Sequence, residues 1–216
     1  MSRKREAKRR KTKMLRNKKL VKRYPWIAIV DWHRNNVKDY SYTMYDDVPN
    51  GWKRAFGKIM LEEYREVLIR NHYLNDFQWI EVKEKYGTLR LYSNDAPGEV
   101  LRLESKYDYI SGFFCLSCGR INSPVLTDGW VEPLCEDCYN KRTVKQRRWH
   151  EENCKGTFTY TPYKDLKKEE QKIEMFATYK CYSPEQGNYE EKRDYSQTIK
   201  KIIARQHKLF KQKSTL

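Results

Sequence analysis

The chain has 216 residues, 38 % of them hydrophobic and 34 % charged, with a formal net charge of +16. That length allows one core with appendages or two small domains, and the apolar content leaves part of the chain outside any core. No stretch approaches the roughly 18 apolar residues of a membrane span and the N-terminus lacks a signal peptide's apolar run, so the expectation is no membrane partner and a cytoplasmic location.

The charge sits at the two ends. Residues 1–24 carry thirteen Lys/Arg and one acid, Glu6, and residues 195–216 carry six Lys/Arg and no acid. Between them, 26 basic residues face 28 acidic ones. A near-neutral body with cationic ends suits a protein that binds nucleic acid, because each Lys or Arg that meets a phosphate releases counterions. The segment 1–24 therefore reads as a nucleic-acid-binding arm. It has no Gly or Pro, but like charges at helical spacing should keep it largely unfolded until phosphates neutralise it. Arg9, Arg10, Lys11, Arg16 and Lys19 are its expected phosphate contacts. Clustered Lys and Arg read charge and not base edges, so binding should be independent of sequence.

Residues 25–112 read as an α+β core. Tyr24-Pro25 ends the arm, and Trp26 to Val30 has the apolar run of a strand. Asp46, Asp47 and Pro49-Asn50-Gly51 lead into a helix, the two acids serving as cap and solvent-face residues. Its apolar stripe comprises Trp52, Phe56, Ile59, Met60, Tyr64, Val67 and Leu68, at steps of three and four. Phe77 to Glu84 and Thr88 to Tyr92 form a hairpin around Lys85-Tyr86-Gly87, with Ile80, Val82, Leu89 and Leu91 turned to the helix. Ala96-Pro97-Gly98 opens a second helix through Val100, Leu101, Leu103, Tyr107 and Ile110.

Residues 113–150 hold the most specific signal. Cys115-x-x-Cys118 and Cys135-x-x-Cys138 are separated by sixteen residues, within the interval of about fifteen to twenty expected of a four-cysteine zinc site. A two-residue insert lets both thiolates of a pair reach one metal at about 2.3 Å, and the long insert returns the chain to complete the tetrahedron. Gly119 gives a tight turn after the first pair, and Ser123-Pro124 and Asp128-Gly129 punctuate a short hairpin. Four thiolates leave no position for water, so such a Zn2+ stabilises a fold and does not catalyse. Six cysteines, four in metal spacing, also indicate a reducing compartment. A basic helix from Tyr139 to Trp149 should follow, with Lys141, Arg142, Arg147 and Arg148 as a second strip of phosphate contacts. His150-x-x-x-Cys154, with Cys181, has ligand spacing, but a surface histidine and isolated thiols explain it better beside a complete site.

Residues 151–216 read as an extension. Met175 to Tyr182 is strand-like, and Tyr189 to Phe210 reads as helix. Its stripe of Tyr195, Ile199, Ile202, Ile203 and Leu209 is narrow and flanked by Lys and Arg. It should form a homodimer or dock on a protein partner, with packing on its own core as the alternative.

The segment Trp79-Ile80-Glu81-Val82-Lys83-Glu84-Lys85-Tyr86-Gly87-Thr88-Leu89-Arg90-Leu91-Tyr92 precedes both cysteine pairs and follows Asp46-Asp47-Val48-Pro49-Asn50-Gly51-Trp52. In this order it resembles a group of small bacterial and prophage-encoded proteins with an "EKYGxLRxY" hairpin and a four-cysteine zinc module of treble-clef or zinc-ribbon type. The likeness covers roughly residues 40 to 140. It implies a bacterial or phage setting and carries no mechanism. Cys135 to Lys141 is also similar to the cysteine-rich end of HNH endonucleases, but those enzymes need a histidine ahead of the metal-binding helix. None lies between Cys118 and Cys135. Nucleotide-binding glycine loops and Gly-x-Ser-x-Gly are absent from the sequence as well. The expectation is a non-enzymatic zinc protein that binds nucleic-acid backbone and a protein partner in a nucleoprotein complex such as a ribosome, a polymerase or an RNA-guided nuclease effector. The rival expectations are a phage-type modulator of a host protein and a cryptic nuclease.

Overall fold

The computed structural model describes residues 3–30, 39–121, 132–141 and 175–211. The fold is α+β, built from helices, two two-stranded sheets and a four-cysteine cluster. Its elements group into two compact units. One takes Met1–Pro49, Met60–Lys85 and Leu89–Tyr107; the other takes Asn50–Ile59, Tyr86–Thr88 and Asp108–Leu216.

The first unit begins with α1 (Arg3–Arg23). The arm is thus a preformed helix of 21 residues, where charge repulsion alone predicted a disordered chain. The reason is tertiary. Lys13, Asn17, Leu20 and Val21 fall on one face, and Asn17 and Val21 are buried. The Asn17 amide donates to Tyr40 O at 3.1 Å and to Asp46 Oδ2 at 2.9 Å. Arg16 Nη2 meets Asp46 Oδ1 at 2.8 Å, and Lys13 Nζ lies 3.4 Å from Asp46 Oδ2. At the last turn, Arg23 forks onto both Glu62 oxygens at 2.8 and 2.9 Å, and the Tyr24 hydroxyl donates to Glu62 at 2.7 Å. Two carboxylates therefore cancel charge where the helix meets the unit, and burial of Val21 supplies apolar contact.

Trp26 to Val30 is not the expected strand. Pro25 fixes φ at the first position of a 3₁₀ turn, Pro25–Ile27, closed by Ala28 N–H to Pro25 O at 3.1 Å. The Gln78 side chain donates to Trp26 O and Ala28 O at 2.8 and 2.7 Å, which satisfies the carbonyls a strand partner would have taken. Trp26 and Ile27 are fully buried. Around Tyr64 the rings of Trp26, Phe77, Trp79 and Tyr107 gather at centroid distances of 6.4, 5.7, 5.3 and 6.4 Å. Each such pair adds about 0.5–1.5 kcal/mol beyond area burial, so this aromatic cluster is the unit's centre.

The predicted long helix is present with one modification. Asn50–Trp52 (α2) and Lys58–Arg70 (α3) are joined by a π-helical turn, Lys53–Gly57. Trp52, Phe56, Met60, Tyr64, Val67 and Leu68 are buried as the stripe predicts, and Ile59 is half-buried. Strands β1 (Trp79–Lys85) and β2 (Thr88–Ser93) form the predicted hairpin. Tyr86 and Gly87 have φ of 53° and 78°, the left-handed pair of a tight primed turn. Val82, Leu89 and Leu91 are buried, but Ile80 is 58 % exposed. Trp79 takes the inward position, and its spacing of three from Val82 breaks the strict alternation that had placed Ile80 inside. Helix α4 (Gly98–Ser111) buries Val100, Leu103, Tyr107 and Ile110, and leaves Leu101 exposed.

In the second unit, α5 (Glu136–Asn140) follows the second cysteine pair's first member. Strands β3 (Phe176–Ser183) and β4 (Gly187–Asp194) pair antiparallel from Phe176↔Asp194 to Ser183↔Gly187. The strand-like reading of Met175 to Tyr182 holds, whereas Tyr189 to Asp194 is strand and not helix. Gly187, at φ +68°, turns the chain back, and cross-strand neighbours such as Lys180↔Glu190 then favour pairing. Helix α6 (Ser196–Lys211) starts where Asp194 Oδ1 accepts from Ser196 N–H at 2.7 Å.

The first part of the α6 stripe packs within its own unit. Tyr195, Ile199 and Ile202 are 6 %, 0 % and 0 % exposed within this single chain. Helix α6 packs on the Lys53–Gly57 turn, and Tyr195 meets the Tyr109 ring at 5.7 Å and the Tyr179 hydroxyl at 3.2 Å. Tyr195, Ile199 and Ile202 are covered by the unit's own chain, whose apolar contacts carry no association entropy. Ile203 is half-buried, and the Leu209 side chain lies outside the described residues.

Candidate metal centre and cationic helix

Phe114 and Ile121 form an isolated antiparallel bridge that closes a tight loop over the first cysteine pair. Cys115 N–H donates to Arg120 O at 2.7 Å, and Gly119 N–H returns to Cys115 O at 2.8 Å. Gly119 holds φ at +82°, a conformation that favours glycine. The loop aims N–H groups at sulfur: Cys118 N to Cys115 Sγ and Arg120 N to Cys118 Sγ are both 3.5 Å. The second limb is laid beside the first by Leu116 N–H to Pro133 O at 2.7 Å. Cys135 then stands as N-cap of α5, and Cys138 lies on its first turn.

The four Sγ atoms of Cys115, Cys118, Cys135 and Cys138 all lie within 4.8 Å of one another, and Cys118 and Cys135 are 3.6 Å apart. A tetrahedral ion with bonds of about 2.3 Å needs S···S edges of about 3.8 Å. The cluster can coordinate a metal ion. Cys115 and Cys135 are buried with Leu134, and Leu116, Cys118 and Cys138 are partly buried against them.

The electrostatics favour a cation. Hydrogen bonds from Cys118 and Cys135 pull the Cys115 thiol far below its ordinary range, while the bond to Cys115 pushes Cys118 up, and bonds to Cys115 and Cys118 push Cys135 up. One thiolate suppresses its neighbours, and a bound cation removes that conflict by drawing all four into ionisation. Arg120 sits beside the cluster. Burial opposes its charge, but its ion pair with Asp137 and the nearby sulfurs raise its pKa above the usual value.

Sequence reasoning missed the braces of this loop. Gly51 N–H donates to Leu116 O at 2.9 Å, and Gly119 packs on Gly51 with its own Cβ position 3.3 Å from Ala55 N. The buried Trp52 indole donates to Phe114 O at 2.9 Å, and Gln206 Nε2 of α6 donates to Gly119 O at 2.5 Å. A glycine after Pro49-Asn50 looks like a turn residue, and nothing local marks a glutamine near the chain's end as a support. His150 and Cys154 lie outside the described residues; Cys181 sits half-buried on β3.

The expected phosphate contacts divide. Arg9, Arg10, Lys11 and Lys19 are exposed on α1, and Lys141 is exposed after α5. Arg16 is hydrogen-bonded to Asp46 and Asn17, where it helps anchor the helix, and its side chain is half exposed. Arg142, Arg147 and Arg148 lie outside the described residues. Among the described residues no helix is long and apolar enough to cross a membrane. No protein family, curated protein or solved structure matches the chain. The likeness to small bacterial and prophage-encoded proteins therefore rests on its motifs alone.

Proposed function

We propose that the four cysteines hold one Zn2+ as a structural ion, and that this is a non-enzymatic accessory protein of a nucleoprotein complex, binding nucleic-acid backbone through α1 and a protein partner through its body. The observation that carries the reading is α1 itself. Its C-terminal half is anchored on Asp46 and Glu62, while every side chain from Arg3 to Thr12 is exposed. A preformed cationic helix binds phosphates without first incurring the entropy of folding. Zinc is the ion favoured by four thiolates at tetrahedral spacing, and a closed site of this kind leaves no coordination position for a reacting water. Support for a protein partner comes from Ile80 and Tyr92, 58 % and 42 % exposed on the β1–β2 hairpin.

The test compares the full chain with a version lacking residues 1–12, a boundary that spares Lys13, Arg16 and Asn17. At about 100 mM salt, where backbone contacts still register, the truncated chain should lose most affinity for duplex DNA and structured RNA and keep its melting temperature. Equal binding by both chains refutes the reading. Capture of a protein partner that survives nuclease treatment while neither chain binds nucleic acid would favour the modulator of a host protein. Elemental analysis should find one zinc per chain, and chelation should unfold the second unit, since such sites contribute on the order of 10 kcal/mol to folding.

A further inference from the structure

The cations of the exposed half of α1 are arranged in three rows, not scattered. Lys4, Lys8 and Lys11, at steps of four and three, form a central row pointing away from the buried face. Arg5 and Arg9 lie roughly a third of a turn to one side, and Arg3 and Arg10 about as far to the other. The one acid of the helix, Glu6, shares the face of Lys13, Asn17 and Leu20; it is clear of the central lysine row but borders both arginine flanks, three residues from Arg3 and Arg9 and four from Arg10. We propose that this half-helix enters the major groove of B-form duplex DNA, with its two arginine flanks on the two phosphate rails. This rests on the reading that α1 binds nucleic acid.

Shape selects the duplex. An α-helix with side chains is about 10–12 Å across, and the B-form major groove is about 12 Å wide and about 8.5 Å deep. A helix lying on a flat polyanion would use one flank, whereas a groove supplies phosphates on both. The A-form major groove of RNA is too narrow and deep for side chains to read. Single strands are held by aromatic stacking, and α1 contains no Phe, Tyr or Trp. An anionic lipid surface would require an apolar face, and only Met14 and Leu15 are exposed large apolar residues on α1. The anchors at Lys13, Arg16 and Asn17 begin where the exposed rows end, so a groove can surround the helix without meeting Asp46.

The test uses the full chain with a short DNA duplex, the RNA duplex of the same sequence and the matching single-stranded DNA, read by fluorescence anisotropy across a salt series. The expected order has the DNA duplex tightest, with displacement by methyl green, which occupies the major groove, and none by netropsin, which occupies the minor. Arg5→Gln with Arg9→Gln, and separately Arg3→Gln with Arg10→Gln, should each reduce the log–log salt slope by about 1.8, at about 0.9 per phosphate contact. If only one pair changes the slope, or RNA or single strands bind as tightly as the DNA duplex, the groove proposal fails while nucleic-acid binding stands. No binding to any of the three, or binding only to phosphatidylserine vesicles, defeats both readings. Circular-dichroism melts of the two double variants should stay close to that of the parent chain, because all four side chains are exposed and the attraction between Arg10 and Asp39 is a surface one.

Discussion

Replacing Gly51 with alanine should damage the four-cysteine cluster from outside the cysteines themselves. An added Cβ would overlap Cys115 O and stand 2.6 Å from both the carbonyl carbon and the oxygen of Leu116, all backbone atoms of the loop that carries the first cysteine pair. Backbone cannot swing aside as a side chain can, so the loop must move away from α2. Overpacking of this kind costs about 1–3 kcal/mol. The displacement also stretches the 2.9 Å bond from Gly51 N–H to Leu116 O, a further loss of about 1 kcal/mol. Alanine returns at most about 1 kcal/mol in helix propensity. The net loss is about 2 kcal/mol, or about 4–8 °C in melting temperature for a chain of this size. Chelator competition should report weaker metal retention in Gly51→Ala, because Cys115 and Leu116 are the atoms pushed. Gly98→Ala is the control. Nothing lies within 4 Å of its Cβ position and it opens α4, so it should be neutral or slightly stabilising. A Gly51→Ala chain that melts with the parent and holds metal equally against chelator would refute the argument.

Three other outcomes follow from the same structure. Burial would raise the Asp46 carboxyl, but Thr43 N–H, the Asn17 amide, Lys13 and Arg16 hold it below the ordinary value; its contribution to docking α1 should be complete above the unfolded-state value of about 3.9 and fade as pH falls towards the depressed folded value, and Asp46→Asn should remove that acid step from amide exchange in residues 13–23. Glu104 behaves oppositely, since burial raises its pKa even though Ser93 Oγ–H donates to it at 2.6 Å: ionisation opposes folding, so Glu104→Gln should raise the melting temperature at pH 7, and the gain should vanish below about pH 4.3. Ile202→Ala, at a fully buried position of α6, should cost about 2–5 kcal/mol and leave the mass by light scattering unchanged; loss of a dimer without loss of stability would restore the outward interface.

Elements whose information is local were legible in the residues alone. The cysteine spacing defined the four-cysteine cluster, because two short inserts and one long one constrain four sulfurs wherever the module sits. Periodicity defined the stripe from Trp52 to Leu68, the hairpin at Tyr86-Gly87 and α4, because burial on one face leaves its period in the residues. Tertiary structure decided what depends on partners distant in sequence. Whether a chain with thirteen cations by residue 24 is disordered or helical turned on Asp46 and Glu62, which cancel its charge from positions no local pattern links to it. The Trp26 segment became a turn because Gln78 satisfies its carbonyls. The stripe of α6 could equally have met a second copy, and only the presence of the Lys53–Gly57 turn and Tyr109 beside it turned the helix inward. Gly51 was legible as a turn residue but not as the floor on which the Cys115 loop rests, since close approach of two backbones leaves no trace in either segment alone.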